Sequence, residues 1–332
     1  MARFLRNYTP NRELDYKDVF IVPQYSEITS RKEVDTSVCL EQGINLDVPI
    51  ISANMSSVTE EDMCLSMHSG GGIGAMHRFM SIEENVKKYS LVKQHKGECF
   101  ISLGINEESK ERAKALYEAG ARYFCIDIAH GHSLNMKNMI HWLRQTFGND
   151  LIIMAGNVAT YNATKSLYDW GANIIKVGIG PGSVCLTKNQ TAVTFPQFSA
   201  VMECALYANQ KNIPIVADGG LTEYGDVCRA LAAGASAVMS GKFFAGCADT
   251  PGTLSPAGTK PYFGMASNRA MKLIKREEDM ATPEGKEIEV QSTSVLARDI
   301  IKELKGAIQS SMSYSNSRNL SEYRENVIFG IR

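Results

Sequence analysis

One pattern, repeated eight times, limits what this chain can fold into. A short apolar run rich in β-branched residues ends in glycine, asparagine, aspartate or serine, and a helical stretch follows it. The runs occupy 48–55, 72–77, 99–105, 123–130, 151–158, 174–180, 213–220 and 235–241, with amphipathic stretches such as 107–119 and 161–170 between them. An apolar run without polar alternation reads as a strand buried on both faces, the mark of a parallel sheet. Eight such βα units in series predict a closed TIM (β/α)8 barrel rather than an open sheet. Gly120-Ala121, Gly171-Ala172 and Gly234-Ala235 recur where a helix must stop and the next strand begin, and glycine is the residue that ends a helix most easily.

Two segments fall outside the repeat. Residues 1–47 form a lead-in before the first barrel strand, and residues 248–292, rich in glycine, proline, threonine and charge, form a long flap after the eighth. On a barrel, a flap there overhangs the C-terminal face, where active sites lie. No linker or low-complexity tract divides the chain, so residues 1–332 read as a single catalytic domain with a mobile flap at about 248–292.

Charge and cysteine usage narrow the function. The 35 basic and 36 acidic residues leave a net charge of −1, which gives no broad electrostatic footprint for nucleic acid. A local basic pocket for a small anion remains compatible with it. The polar N-terminus, with Arg3, Arg6 and Arg12, has no signal-peptide core, and no window is long and apolar enough for a membrane helix. A cytoplasmic location without membrane partners is therefore expected. None of the eight cysteines forms a C-x-x-C pair, and most sit in apolar runs such as Tyr123-Phe124-Cys125-Ile126. They read as reduced core thiols rather than zinc ligands or disulfides.

Cys185 differs. It lies in Gly178-Ile179-Gly180-Pro181-Gly182-Ser183-Val184-Cys185-Leu186-Thr187, directly after the sixth run. Such a loop exposes backbone amides and carbonyls, and a thiol ionised there is a nucleophile. Ser183 can donate to a phosphate. Ala217-Asp218-Gly219-Gly220 and Met239-Ser240-Gly241-Lys242 end the seventh and eighth runs, where barrels commonly bind phosphate through loop amides. Asp218, an anion, suits ribose hydroxyls rather than phosphate. Asp127 and Asn157 place polar groups at the barrel mouth, for which structural hydrogen bonding is an equal reading. Each motif alone is also an ordinary turn; their joint occurrence after runs six, seven and eight is what points to a nucleotide site.

These residues resemble the IMP dehydrogenase and GMP reductase family. The likeness runs from Leu14-Asp15-Tyr16-Lys17-Asp18-Val19 and Ser30-Arg31, through Met154-Ala155-Gly156-Asn157-Val158, the Cys185 loop and Asp218-Gly219-Gly220, to Phe263-Gly264-Met265 and Glu284-Gly285-Lys286. The resemblance implies that Cys185 attacks C2 of a purine nucleotide, while Thr187 and Glu284 handle protons on departing ammonia. It assigns Ser183, Asp218, Gly219, Gly220, Gly241, Lys242, Gly264, Met265, Ala266 and Gly285 to the nucleotide. It assigns Ser30, Arg31, Arg78, Asp127, Ile128, Ala129, Ile179 and Gly180 to a nicotinamide dinucleotide, with two arginines suited to the 2′-phosphate of NADPH. A monovalent cation, usually potassium, is implied at the carbonyls of Gly180, Gly182 and Cys185, beside Lys188. A homotetramer is implied too, with the segment near 310–313 reaching a neighbour's cofactor site.

Within the family, three features favour reduction of GMP to IMP. Only residues 78–98 separate His77 from Cys99, leaving room for one helix and not for a regulatory module. The flap carries no Arg-Tyr pair, which resembles the water-activating base of the dehydrogenases; the pair Arg122-Tyr123 enters the fourth run instead. Val158 and the stretch 195–201 also read as reductase-like. Departures are Ala281 in place of an arginine three residues before Glu284, Leu186 and Lys188 in the cysteine loop, Ser56-Ser57 for an Asp-Thr pair, and a dehydrogenase-like Gly71-Gly72-Ile73-Gly74. The alternatives are an IMP dehydrogenase without regulatory modules and a catalytically silent nucleotide-binding regulator.

Overall fold

The computed structural model describes residues 13–273 and 282–332, together with the backbone of Arg3–Phe4; Ala281 lies outside the described residues. Eight parallel strands close on themselves: β1 (Ile50–Ser52), β2 (Ile73–Met76), β3 (Cys99–Leu103), β4 (Tyr123–Asp127), β5 (Ile152–Val158), β6 (Ile174–Val177), β7 (Ile215–Asp218) and β8 (Ala237–Ser240). β8 pairs with β1 to shut the barrel. Every predicted run holds one strand, shortened because its glycines and terminal polar residues leave the ladder to form the loop above it.

Helices α1 (Glu61–Ser69), α2 (Ile82–Gln94), α3 (Glu107–Glu118), α4 (Leu134–Phe147), α5 (Tyr161–Asp169), α6 (Gln197–Lys211), α7 (Tyr224–Ala233) and α8 (Ala297–Tyr314) surround it. Ser81, Asn106, Ser133 and Thr160 cap α2 to α5, each side chain accepting from an amide of the first turn, which satisfies donors a helix start leaves unpaired. Gly120, Gly171 and Gly234 take φ of +99°, +111° and +124°, a region glycine enters without a Cβ penalty.

Alternation within the strands builds two cores. Ile51, Ile73, Phe100, Cys125, Ile174, Val216 and Met239 fill the barrel interior, while their neighbours Ile50, Ile101, Phe124, Ile175, Ala217 and Val238 pack outward against the helices. The lead-in is structured. Its hairpin Val38–Glu41 with Ile44–Leu46 inserts Leu40, Ile44 and Leu46 into the interior cluster and plugs the N-terminal mouth. Val19–Ile21 pairs with Ile328–Ile331 outside the barrel. The flap is built on an antiparallel ribbon, Thr259–Phe263 with Glu287–Gln291, and carries the short helix Asn268–Leu273.

Six cysteines are buried as expected; Cys39 is the exception, exposed at an outward position of the lead-in hairpin. Among the described residues no helix is long and apolar enough to cross a membrane.

Candidate active site

The C-terminal ends of the strands and the flap enclose a cavity of about 410 Å³. The cysteine loop forms one wall, and its glycines are required by contact. Gly178 has φ of +148°, and a Cβ there would meet the Asp218 carbonyl oxygen at 2.2 Å. A Cβ on Gly180 would meet Thr194 Oγ1 at 2.8 Å. The loop turns back where the Cys185 amide donates to the Gly182 carbonyl at 3.0 Å. This brings the half-buried thiol into the cavity, unlike the core cysteines.

The flap docks on this loop edge to edge. The Leu186 amide donates to the Glu284 carbonyl at 2.6 Å and the Lys286 amide to the Val184 carbonyl at 2.9 Å, so Cys185 and Gly285 face each other as an antiparallel bridge. On the far side, the Gly264 amide donates to Lys286 O, and the amides of Glu284 and Gly285 donate to Ala266 O. Three segments distant in sequence become one narrow sheet. Side chains at its glycines would block it: a Cβ on Gly285 would lie 2.8 Å from the Ser267 amide nitrogen, and one on Gly264 2.9 Å from Val184 O.

That sheet lines up three reactive groups. Cys185 Sγ donates to Thr187 Oγ1 at 3.3 Å, and Thr187 Oγ1 donates to Glu284 Oε2 at 2.7 Å. Thiol, hydroxyl and carboxylate form a path along which a proton can leave sulfur or reach a leaving group.

The opposite floor carries charge. Lys176, 1% exposed on β6, donates to Asp127 Oδ1 at 2.5 Å, to Asp218 Oδ2 at 2.8 Å and to Asn157 Oδ1. Burial works against the Lys176 ammonium, but the carboxylates of Asp127 and Asp218 outweigh it and hold it above the usual lysine range. Burial likewise opposes the ionised form of Asp127, and Lys176 outweighs it, so the carboxyl sits below its ordinary value.

Most residues expected from the sequence converge here. Ser183, Asp218, Gly219, Gly220, Gly241 and Lys242 line the cavity with Gly264, Met265 and Ala266 of the flap. Arg78, Asp127, Ile128, Ala129, Ile179, Gly180 and Gly182 line it as well. Gly285 and Lys188 stand behind the lining, Gly285 in the bridge to Cys185 and Lys188 on the single helical turn Thr187–Thr191. Ser30 and Arg31 are not brought to this cavity. They are exposed, Ser30 capping a short turn and Arg31 donating to the Tyr314 hydroxyl at 3.3 Å.

Lys176 and Tyr262 are among the lining residues missed in the sequence. Lys176 is a lone cation inside an apolar run, a signal that was available. Tyr262 sits on the flap ribbon; its phenol, pushed up to about 12 by burial and hydrogen-bonded to Ser183, closes over Gly241, whose Cβ would lie 2.9 Å from it. A larger hollow of about 620 Å³ adjoins at Phe79, lined by Glu60, His77, Glu84, Glu108 and Arg269. It contains neither the thiol nor its partners, so the smaller cavity is the reactive one.

Known proteins resemble this chain along most of its length. The family model for the IMP dehydrogenase / GMP reductase domain matches residues 13–331. A GMP reductase of Variovorax paradoxus (strain S110) is 38% identical, over 94% of this chain and 94% of that protein. An inosine-5′-monophosphate dehydrogenase of Cryptosporidium parvum is 35% identical, over 93% of this chain and 89% of its own length. The crystal structure of a GMP reductase variant from Trypanosoma brucei, in complex with guanosine 5′-monophosphate, superposes with a TM-score of 0.88 at 26% identity, covering 97% of this chain and 95% of that one. With a closed barrel, a cysteine loop on the sixth strand and a match along nearly its whole length, the chain belongs to the IMP dehydrogenase / GMP reductase family of oxidoreductases.

Proposed function

We propose that this protein converts GMP to IMP and ammonia with NADPH, through a covalent bond between Cys185 and C2 of the purine. The observation that carries the reading is the Cys185–Thr187–Glu284 relay. The phosphate rests on the Ser183 hydroxyl and the loop amides at Gly219, Gly220, Gly241 and Lys242, where glycine leaves room for close approach. Asp218 accepts from the ribose. The thiol gives its proton through Thr187 to Glu284 as sulfur bonds to C2. The same pair returns a proton to the exocyclic nitrogen, which leaves as ammonia. Arg78 and Asp127 to Ala129 would hold the nicotinamide cofactor, which when bound would supply hydride to C2. The C2–S bond then breaks, IMP departs, and Glu284 takes a proton from water and returns it to the thiolate through Thr187.

Reduction is favoured over dehydrogenation because the flap contains no Arg-Tyr pair to activate water for hydrolysis of the adduct. The dehydrogenase reading has its own support in Gly71-Gly72-Ile73-Gly74 and in the 35% identical C. parvum relative. One assay separates them. With GMP and NADPH, absorbance of the reduced cofactor falls if the protein is a reductase. With IMP and NAD, it rises if the protein is a dehydrogenase. No change in either, with nucleotide still bound, indicates a silent regulator.

The same reading includes potassium on the carbonyls of Gly180, Gly182 and Cys185 beside Lys188, in a cytoplasmic homotetramer. Oxygen donors are what a hard cation takes, and among the described residues no His, Cys, Asp and Glu cluster offers an alternative metal site. Ser30 and Arg31, against Tyr314 at the end of α8, then serve the cofactor site of a neighbouring subunit.

A further inference from the structure

The relay accounts for the thiol side of the cavity and leaves the buried cation on the other side without a role. Lys176 alternates with Ile175 and Val177, which face outward, so it stands one layer above Ile174 inside the barrel. Asp127 stands likewise above Cys125, and Asp218 above Val216. These residues, with Asn157, come from β4, β5, β6 and β7, so one polar ring caps the apolar interior. Asn157 Nδ2 donates to Asp218 Oδ2 at 3.0 Å and to the Gly178 carbonyl at 2.8 Å, which turns its amide oxygen toward the lysine. All three ammonium protons therefore have acceptors. Arg78 faces Asp127 from the loop after β2, and the Cys125 thiol lies beneath.

Each carboxylate commits one oxygen to Lys176 while its side chain stays 25% (Asp127) or 21% (Asp218) exposed on the cavity wall. A buried ion network of this kind adds little to stability over apolar packing. Its distinctive effect is geometric: one ammonium holds two carboxylates, on strands separated by two others, in one fixed orientation.

We propose that Lys176 is a positioning residue that, braced by Asp127, aims Asp218 as the acceptor for ribose hydroxyls of the purine nucleotide, and so makes this site select ribonucleotides over deoxyribonucleotides. The inference rests on the nucleotide reading above and deepens it. A carboxylate set to receive hydroxyls is left unpaired by a sugar that lacks them, and sites built this way discriminate far more strongly than apolar pockets do. Without the ammonium, Asp218 is no longer held in one orientation, and the missing hydroxyl matters less.

The test is equilibrium binding of GMP, 2′-deoxy-GMP and 3′-deoxy-GMP by calorimetry. The wild-type protein is compared with Lys176→Met and with Lys176→Met/Asp127→Asn, the second restoring the balance of charge. The wild type is expected to prefer GMP over at least one deoxy analogue by about 10- to 100-fold, the range for a hydrogen bond to a charged group. In both variants that preference should fall below about 3-fold. A lysine that only supports packing would weaken all three nucleotides in equal proportion, and a preserved ratio overturns the proposal. Failure of the charge-balanced variant to fold overturns it too, since the lysine would then serve the fold. If the wild type binds no GMP, the nucleotide reading and this inference fall together, a result distinct from both.

Discussion

Thr187→Val removes one oxygen and almost nothing else, which makes it the sharpest test of the relay. Thr187 Oγ1 is the atom joining Cys185 Sγ, 3.3 Å away, to Glu284 Oε2, 2.7 Å away. Valine keeps the branched shape and leaves thiol and carboxylate with no shared partner. A positioned general acid–base contributes about 10²- to 10⁴-fold, or about 3–5 kcal/mol of barrier at 1.36 kcal/mol per tenfold. Folding should change far less, because Thr187 and Glu284 are both partly exposed and water can solvate the freed carboxylate. The assay is steady-state turnover of GMP with NADPH, followed by loss of reduced-cofactor absorbance, beside a thermal melt and iodoacetamide labelling of Cys185. Expected are a kcat lower by about 100-fold or more, a KM for GMP within about 3-fold of wild type, a melting point within a few degrees, and a thiol that still alkylates. Thr187→Ser should recover much of the lost rate. If kcat stays within about 3-fold of wild type, or KM rises at constant kcat, the hydroxyl carries no proton in the slow step and the relay is only a structural contact.

Cys185→Ala should abolish turnover while GMP still binds, since the proposed phosphate and ribose contacts are made by other residues, Ser183, Asp218 and the loop amides at Gly219, Gly220, Gly241 and Lys242; surviving activity would rule out a covalent route. Arg31→Ala and Arg78→Ala should each weaken NADPH more than NADH, measured as the ratio of the two KM values, and equal losses would mean that neither arginine reads a 2′-phosphate. Glu60 gives a pH signature. Burial pushes its carboxyl up, but hydrogen bonds from His77 at 3.0 Å and from Lys88 at 2.9 Å, with the Lys88 charge, bring it net below the ordinary range. A lowered folded value means that its stabilisation is present above the ordinary carboxyl range and is lost as pH falls through the folded value. The melting point of Glu60→Gln should therefore lie below wild type at pH 7, with the gap closing below about pH 4; a gap independent of pH would refute the ion-pair account.

The fold was legible because its constraint is local. A strand buried on both faces is apolar along most of its length, and three of the helices that return to such strands stop at Gly120, Gly171 and Gly234; both marks sit within a dozen residues. The plug of Leu40, Ile44 and Leu46 was not legible, since nothing near them states that a barrel mouth needs closing. The thiol wall of the site could be read because Gly178 to Thr187 is continuous in the chain. Lys176 could be noticed as a lone cation in an apolar run, but its role could not be read. The partners that give it meaning lie 49, 19 and 42 residues away, and only barrel closure puts them in one ring. Ser30 and Arg31 show the reverse limit: a motif can be recognised while its place in a single chain, against Tyr314, lies away from the cavity it was expected to join.

The relay and the ring together explain why the flap carries a glutamate rather than leaving the acid–base work to the barrel. Asp127 and Asp218 are the barrel's own carboxylates at the mouth, and both are tied to Lys176, which holds the Asp127 carboxyl below its ordinary value against the effect of burial. A carboxylate held that way is a steady acceptor and a poor proton carrier. Glu284 has no lysine or arginine partner among the described ion pairs, and its Oε2 accepts from Thr187 instead. It reaches the thiol only through the backbone pairing of 284–286 with 184–186. On the proposed reading, placing the relay carboxylate on the docked flap separates two tasks that one carboxylate could not meet, accepting from the sugar and passing a proton to the reacting atoms. It also makes the relay complete only when the flap is seated over the cavity, so that the thiol and the carboxylate share a partner in the same geometry that covers the cavity.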